Sequence, residues 1–277
     1  MTEVAYKRIL TIQDISCVGQ CSMTVAMPIL SACGHETCIL PTALLSTHTG
    51  GFGKPAVVHF DDALSDIRCH WHSCGIRFDA ILVGYLGSLG AIETAGEIMD
   101  TLLEPGGVSI VDPAMGDNGR LYAGFDETYV QEMKRLCEKA DVILPNITEA
   151  ALLSGNDYAE NQDKCYVNKL LDDLPESQVI LTSVGYGGDQ TGVVLKRGST
   201  RRPFAHQRIG KNYHGTGDIF AACFAGSWMQ GKTMEESIEI SLKFIQKSIE
   251  NTAKCSSHWY GVKFETVLPE LAAGQVL

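Results

Sequence analysis

The sequence predicts an α/β protein with a mostly parallel central sheet covered by helices on both faces. Three observations carry that reading. Short apolar runs recur along the chain, several of them lack polar alternation, and stretches of helical period separate them. A strand that is apolar at nearly every residue has both faces buried, as in a sheet lying between two helix layers. Strands that alternate with helices join through right-handed crossovers into parallel pairs.

In chain order, residues 9–12 form the first apolar run and residues 38–40 the second. Residues 61–74 then read as a helix, followed by a strand at 80–83 and a helix at 92–103. A strand at 108–111, a helix at 127–139 and a short strand at 142–144 continue the alternation. A helix at 162–171 leads to a strand at 179–181. Residues 219–229 make one apolar helix, and Thr233 with Glu236 spells a capping box before a helix over 235–249.

Ligands of such sheets gather beyond the carboxyl ends of the strands. Gln13-Asp14 follows the first run, and Gly84-Tyr85 follows Val83. Asp112-Pro113, Pro145-Asn146 and Thr182-Ser183 stand at the next ends. Each pair is ordinary alone, but the succession of polar groups and glycines marks one end of the sheet as a site.

With 277 residues and 45% hydrophobic content the chain can bury a substantial core. No linker, repeat or low-complexity tract divides it, so residues 1–277 are expected to form a single domain. The first residues lack a secretory layout, and no uncharged apolar run reaches the roughly 18 residues of a membrane span. A soluble, cytoplasmic protein is expected. The net charge of −11 argues against nucleic acid and anionic membrane as partners. The ten cysteines are too sparse for a disulfide scaffold and are expected to be reduced.

Two glycine motifs compete for a phosphate. Gly226, Gly231, Lys232 and Thr233 match the P-loop spelling, but no strand precedes Gly226, and Gly231 falls where a helix ends. Gly215-Thr216-Gly217-Asp218 instead opens a long helix, where unhindered amides and the positive helix end converge on one point. That turn is the better anion site. Asp218 fits two roles equally, a first-turn acid that favours the helix or a base that accepts a proton from an attacking hydroxyl.

Asp112 and Asp117 lie on one strand end, and Asn146 and Glu149 on the next. Oxygen ligands of this kind suit Mg²⁺ held together with substrate phosphates. The plain alternative is that Asp112 caps a turn, while Asn146 and Glu149 form a capping box. Residues 201–213, rich in Arg, Lys and His, read either as a mobile cover or as a solvated loop.

Taken together, "ILTIQD", "STHTGGFG", "VGYLGS", "VDPAMGD", "LPNITEAALLSG", "ILTS" and "GTGDIFAA" resemble the ribokinase superfamily and, within it, the vitamin B6 kinases, over essentially the whole chain. The resemblance implies a ribokinase-like fold and ATP-dependent phosphorylation of the 5′-hydroxyl of pyridoxal, pyridoxamine or pyridoxine. It implies Asp218 as catalytic base and Gly215, Thr216 and Gly217 as the anion hole. Asp117 and Glu149 would organise Mg²⁺, partly through water, with Asp112 beside the phosphates and possible use of a monovalent cation. Asn146, Thr182 and Ser183 match positions that contact ATP, and His48, Thr49 and Tyr85 match the pyridine pocket. The family also implies a homodimer. Asp14 departs from the family, which has a serine there, so the preferred vitamer is left open.

The neighbouring alternative is a hydroxymethylpyrimidine kinase of the same superfamily. Some B6 kinases of that branch carry a cysteine where this chain has His214. A catalytically silent B6 carrier is a further reading, opposed by the intact Asp218. A metal-binding protein is suggested by Cys69, His70, His72 and Cys74, but one six-residue helical stretch cannot turn four side chains to one point.

Overall fold

Alternate side chains of each central strand enter different cores. Leu10, Ile12, Ile81, Val83, Val111 and Leu181 pack in one, whereas Ile9, Ala80, Leu82, Ile110 and Ile180 pack in the other. This two-sided burial is why the runs are apolar without alternation.

The computed structural model describes residues 6–175, 177–187, 189–209, 213–255 and 257–273. The N-terminal half holds β1 (Arg8–Ser16), α1 (Met23–Ala32), β2 (Glu36–Leu45), β3 (Val57–His59), α2 (Asp61–Ser73), β4 (Phe78–Val83), α3 (Leu89–Leu102) and β5 (Leu103–Val111). A small hairpin of β6 (Gly116–Asp117) and β7 (Arg120–Leu121) precedes α4 (Glu127–Lys139), β8 (Val142–Ile143), α5 (Ile147–Ser154) and α6 (Lys164–Asp173). Then follow β9 (Gln178–Gly185), β10 (Gln190–Arg197), β11 (Thr200–Gln207), α7 (Thr216–Met229), α8 (Met234–Ala253) and α9 (Leu268–Ala272).

Among the described residues the main sheet has nine strands in the order β11-β10-β9-β8-β5-β4-β1-β2-β3. The pairs from β9 through β2 are parallel, and the two edges are closed by antiparallel partners. One core lies against α2 to α6, the other against α1, α7, α8 and α9. The expected α/β architecture, with helices on both faces, is therefore present.

Several expected boundaries move, for local reasons. Helix α3 starts before residue 92 because Ser88 caps it, its side chain accepting from the Ala91 N–H. Asp163 caps α6, accepting from the Tyr166 N–H, so that helix starts at Lys164, after the expected residue 162. Strand β1 continues past Ile12 to Ser16, so Asp14 lies within the strand, where the pairing to β2 shifts register. Strand β9 likewise runs through Thr182 and Ser183, which together face one residue of β10. Such irregularities redirect side chains, here at the ligand end of the sheet.

The segment 201–213 is corrected in part. Its first residues belong to β11, an edge strand laddered antiparallel to β10, rather than to a cover. Backbone pairing is indifferent to the charge of outward side chains, and Arg on an edge strand discourages further pairing. Residues 210–212 lie outside the described residues.

The P-loop spelling has no loop. Gly226 is inside α7 where it crosses α1, and a Cβ there would meet the Cys33 sulfur at 2.6 Å. Gly231 has φ 90° just beyond the helix, and Thr233 and Glu236 form the expected capping box of α8. Around residues 69–74, α2 turns Trp71 onto Phe78 and leaves Cys69, His70 and His72 exposed.

Candidate active site

A cavity of about 560 Å³ opens at the carboxyl ends of the parallel strands. It gathers Asp14, His48, Thr49, Tyr85, Asp112, Asp117, Asn146, Glu149, Thr182, Ser183, Gly215, Thr216, Gly217 and Asp218 around one space. These residues span most of the chain, and only the crossovers of the sheet bring them together.

At one end of the cavity, Gly215 stands at the start of α7 with φ 78°. A Cβ at that position would lie 1.9 Å from the Gln20 carbonyl, so only glycine fits the turn. No side chain caps the helix there, which leaves its first amides available to an anion. Asp218 is in the first turn and lines the cavity. Burial pushes its carboxyl up to about 7, the nearby Asp14 charge adds to this, and a hydrogen bond from the Ser22 backbone opposes it. A carboxylate held near neutrality can both exist ionised and accept a proton.

Glu149 shows that the plain capping reading is correct as geometry. Asn146 accepts from the Glu149 N–H at 3.0 Å, and Glu149 Oε2 accepts from the Asn146 N–H at 2.8 Å. Glu149 Oε1 accepts from the Met115 N–H at 3.2 Å. Burial nevertheless raises the carboxyl, because backbone donors only partly replace water. Asp112 is raised as well, by burial first and then by the charges of Glu149 and Asp218. Asp117 is exposed on β6, its carboxylate accepting from the Asn118 backbone and side chain. Asp112, Asp117 and Glu149 thus line one cavity with no Lys or Arg among its described lining residues, which is unfavourable unless a cation joins them. Among the described residues no three His, Cys, Asp or Glu side chains are placed to hold a metal ion by themselves, and both Glu149 oxygens already accept from amides, so a hard cation here would take most of its ligands from water and phosphate.

At the other end, His48 is 4% exposed and both ring nitrogens are engaged. Nδ1 accepts from the Gly50 N–H at 2.9 Å, so Nε2 carries the proton and donates to the Tyr260 carbonyl at 3.0 Å. Burial lowers its pKa, keeping the ring neutral. His48 therefore offers the cavity a ring surface rather than a donor. It packs on His214 and Phe52 with ring centroids 5.2 and 5.0 Å away, and Phe52 packs on Trp259. Tyr85 stacks on Phe125, which stacks on Tyr129. Asp14, 3% exposed, accepts from the Ser16 hydroxyl at 3.1 Å, and burial raises its carboxyl.

Ser22, Cys21 and Tyr122 also line the cavity, and sequence reasoning did not find them. Ser22 and Cys21 sit before α1, a helix hidden by Pro28 in its interior. Tyr122 follows the β6–β7 hairpin, whose strands are too short to leave a periodic signal.

The phosphomethylpyrimidine kinase family model matches residues 30–263. A pyridoxal kinase from Lactobacillus plantarum has a solved structure that superposes with a TM-score of 0.89 at 33% identity, over 97% of this chain and 98% of that one. A protein from Bacteroides thetaiotaomicron, provisionally assigned as a phosphomethylpyrimidine kinase and solved with pyridoxal, superposes with a TM-score of 0.88 at 35% identity over 96% of each chain. Among curated proteins, the pyridoxine/pyridoxal/pyridoxamine kinase of Bordetella avium is 28% identical, over 90% of this chain and 86% of its own length.

Proposed function

From the chain's membership of the phosphomethylpyrimidine kinase family, which the match over residues 30–263 establishes, we propose that it is a vitamin B6 kinase transferring the γ-phosphoryl group of ATP to the 5′-hydroxyl of a B6 vitamer. The observation that carries this reading is the placement of Asp218 beside the open amides of Gly215, Thr216 and Gly217, in a cavity shared with an aromatic-walled pocket. Pyridoxal kinases recur among the relatives, and a structural neighbour was solved with pyridoxal.

Phosphoryl transfer needs positioning and charge stabilisation more than covalent help. The 5′-oxygen attacks the γ-phosphorus, the bond to the β-phosphate oxygen breaks, and ADP leaves. Asp218 accepts the hydroxyl proton. The amides at the start of α7 hold the equatorial oxygens as charge develops on them. His48 and Tyr85 shape the wall for the pyridine ring, with Thr49 beside them. Asn146, Thr182 and Ser183 face the nucleotide. Asp112, Asp117 and Glu149 would hold Mg²⁺, directly or through water, and the ion would neutralise phosphate charge. A monovalent cation beside the phosphates, a homodimer, a single domain over 1–277 and a cytoplasmic setting belong to the same reading. Among the described residues no helix is long and apolar enough to cross a membrane.

A second reading, a hydroxymethylpyrimidine kinase, is favoured by the family model itself and by a Bacillus subtilis hydroxymethylpyrimidine/phosphomethylpyrimidine kinase, 28% identical over 64% of this chain. ATP consumption measured side by side with pyridoxal, pyridoxamine, pyridoxine and hydroxymethylpyrimidine separates the two. Higher kcat/KM on the vitamers is expected. Turnover of hydroxymethylpyrimidine alone would overturn the B6 assignment.

A further inference from the structure

The His48 wall of the cavity is held from behind by a segment far along the chain. Residues 258–265 lie between α8 and α9 and are anchored in the core by the buried Val262 and Phe264. The Tyr260 carbonyl is the acceptor of His48 Nε2, and Trp259 packs on Phe52, which packs on His48. Gly51 brings its loop so near that a Cβ there would stand 2.6 Å from the Trp259 ring. Gln20 ties this segment to the turn before α1. Its Nε2 donates to both carboxylate oxygens of Glu265, at 2.8 and 3.0 Å, which leaves Oε1 as the acceptor of His258 Nε2 at 3.0 Å. His258 in turn packs on the Tyr260 ring with centroids 4.4 Å apart. A Cβ on Gly261 would meet Gln20 Oε1 at 2.7 Å, so the segment folds directly over this side chain. On the other side, the His48 N–H donates to the Val18 carbonyl at 3.0 Å, two residues before Gln20. His48 is thus gripped through its backbone by the turn and through its ring by the segment.

We propose that Gln20 is a positioning residue for the vitamer, acting through His48: by fastening residues 258–265 to the turn before α1, it fixes the ring plane that His48 presents to the pyridine. This rests on the kinase reading above. Neither Gln20 nor any residue of 258–265 lines the cavity, so the effect reaches the substrate only through the His48 wall. A flat ring is oriented by a flat wall, and the 5′-hydroxyl is aimed at the phosphoryl group only while that wall keeps its plane. The Gln20 carbonyl lies against Gly215 at the phosphate end. That contact belongs to the backbone, so a change of the Gln20 side chain leaves it in place.

The test is a double-mutant cycle of Gln20→Ala, Glu265→Ala and the two together, read as the KM for pyridoxal and the KM for ATP. Glu265 is exposed and outside the core, so Glu265→Ala keeps the test interpretable if Gln20→Ala folds poorly. Each single variant should raise the KM for pyridoxal about 2- to 10-fold, the worth of one hydrogen bond, and leave the KM for ATP within about twofold. The double variant should be no worse than Gln20→Ala, because the two residues act through one bond. An unmoved KM for pyridoxal in either single variant overturns the inference. So does an equal rise in the KM for ATP, which would assign the segment a merely structural role, and so do losses that add in the double variant. A wild type that phosphorylates no B6 vitamer overturns the kinase reading and this inference with it, whereas an active wild type whose single variants keep its KM overturns this inference alone.

Discussion

In the proposed reaction Asp218 concentrates the proton transfer in one carboxyl group. Asp218→Asn keeps the shape but cannot accept a proton, and loss of a general base typically removes roughly 10² to 10⁴ in rate. Steady-state assays should therefore show kcat falling by that order while ATP binding is nearly intact. Near-normal kcat would return Asp218 to the role of a first-turn helix acid. The same group sets a pH dependence of stability. Its folded pKa, about 7, lies above its ordinary value of 3.8, so its stabilising contribution is full below 3.8 and is lost as pH rises through 7. Asp218→Asn should accordingly raise the melting temperature more at pH 8 than at pH 5, and the reverse order would contradict burial as the cause. For Asp14 we propose a different role, the choice among vitamers. Its buried carboxylate can pair with the 4′-ammonium of pyridoxamine, which pyridoxal lacks, and a charged hydrogen bond contributes about 1.5–3 kcal/mol. Asp14→Ser is expected to lower kcat/KM about 10- to 100-fold on pyridoxamine and much less on pyridoxal. An equal loss on all vitamers would instead place Asp14 against the ring nitrogen, and unchanged kinetics on every vitamer would rule out both ligand roles.

Helices α7 and α8 show how one spelling misleads and another informs. Gly226 is a packing glycine, since a Cβ there would crowd Cys33 of the neighbouring chain segment, and His35 Nε2 bonds its carbonyl at 2.9 Å. Lys232 follows the glycine that ends α7 and precedes the Thr233 cap of α8, far in function from the opening of α7. Lys232→Ala should change kcat and the KM for ATP by less than about twofold, as for a surface substitution away from any special feature. A collapse of activity would restore the P-loop reading. Elements with continuous apolar runs were legible because burial on both faces writes itself into composition. The β10–β11 hairpin was not, because an edge strand carrying Arg201 and Arg202 looks like a solvated loop until its ladder partner is known.

At the scale of the molecule, the sheet divides two cores and leaves the ten cysteines as free thiols in several environments, three of them buried. A structural disulfide commonly contributes about 2–4 kcal/mol, which would move the melting temperature of a chain this size by several degrees. Thermal melts with and without dithiothreitol are expected to coincide. A clear drop on reduction would reveal a covalent link that these thiols do not make. The net charge of −11 adds a further constraint, because an acidic molecule that handles phosphates must rely on local donors such as the amides of α7 and on bound cations.

The sequence by itself determined the two-sided sheet and the residues that meet at its carboxyl end, since strand burial, glycine turns and helix caps are local and leave local marks. Asp112, Asn146, Glu149 and the turn at Gly215 could each be named from their neighbours alone. Tertiary structure alone shows how each of them is bonded and buried there. Only the folded chain shows that both nitrogens of His48 are already engaged, and that Glu149 is at once a capping residue and a buried acid beside Asp112. Those relations join residues from separate strands and helices, and the free energy that defines them, desolvation shared among groups distant in sequence, exists only once the chain has closed around the cavity.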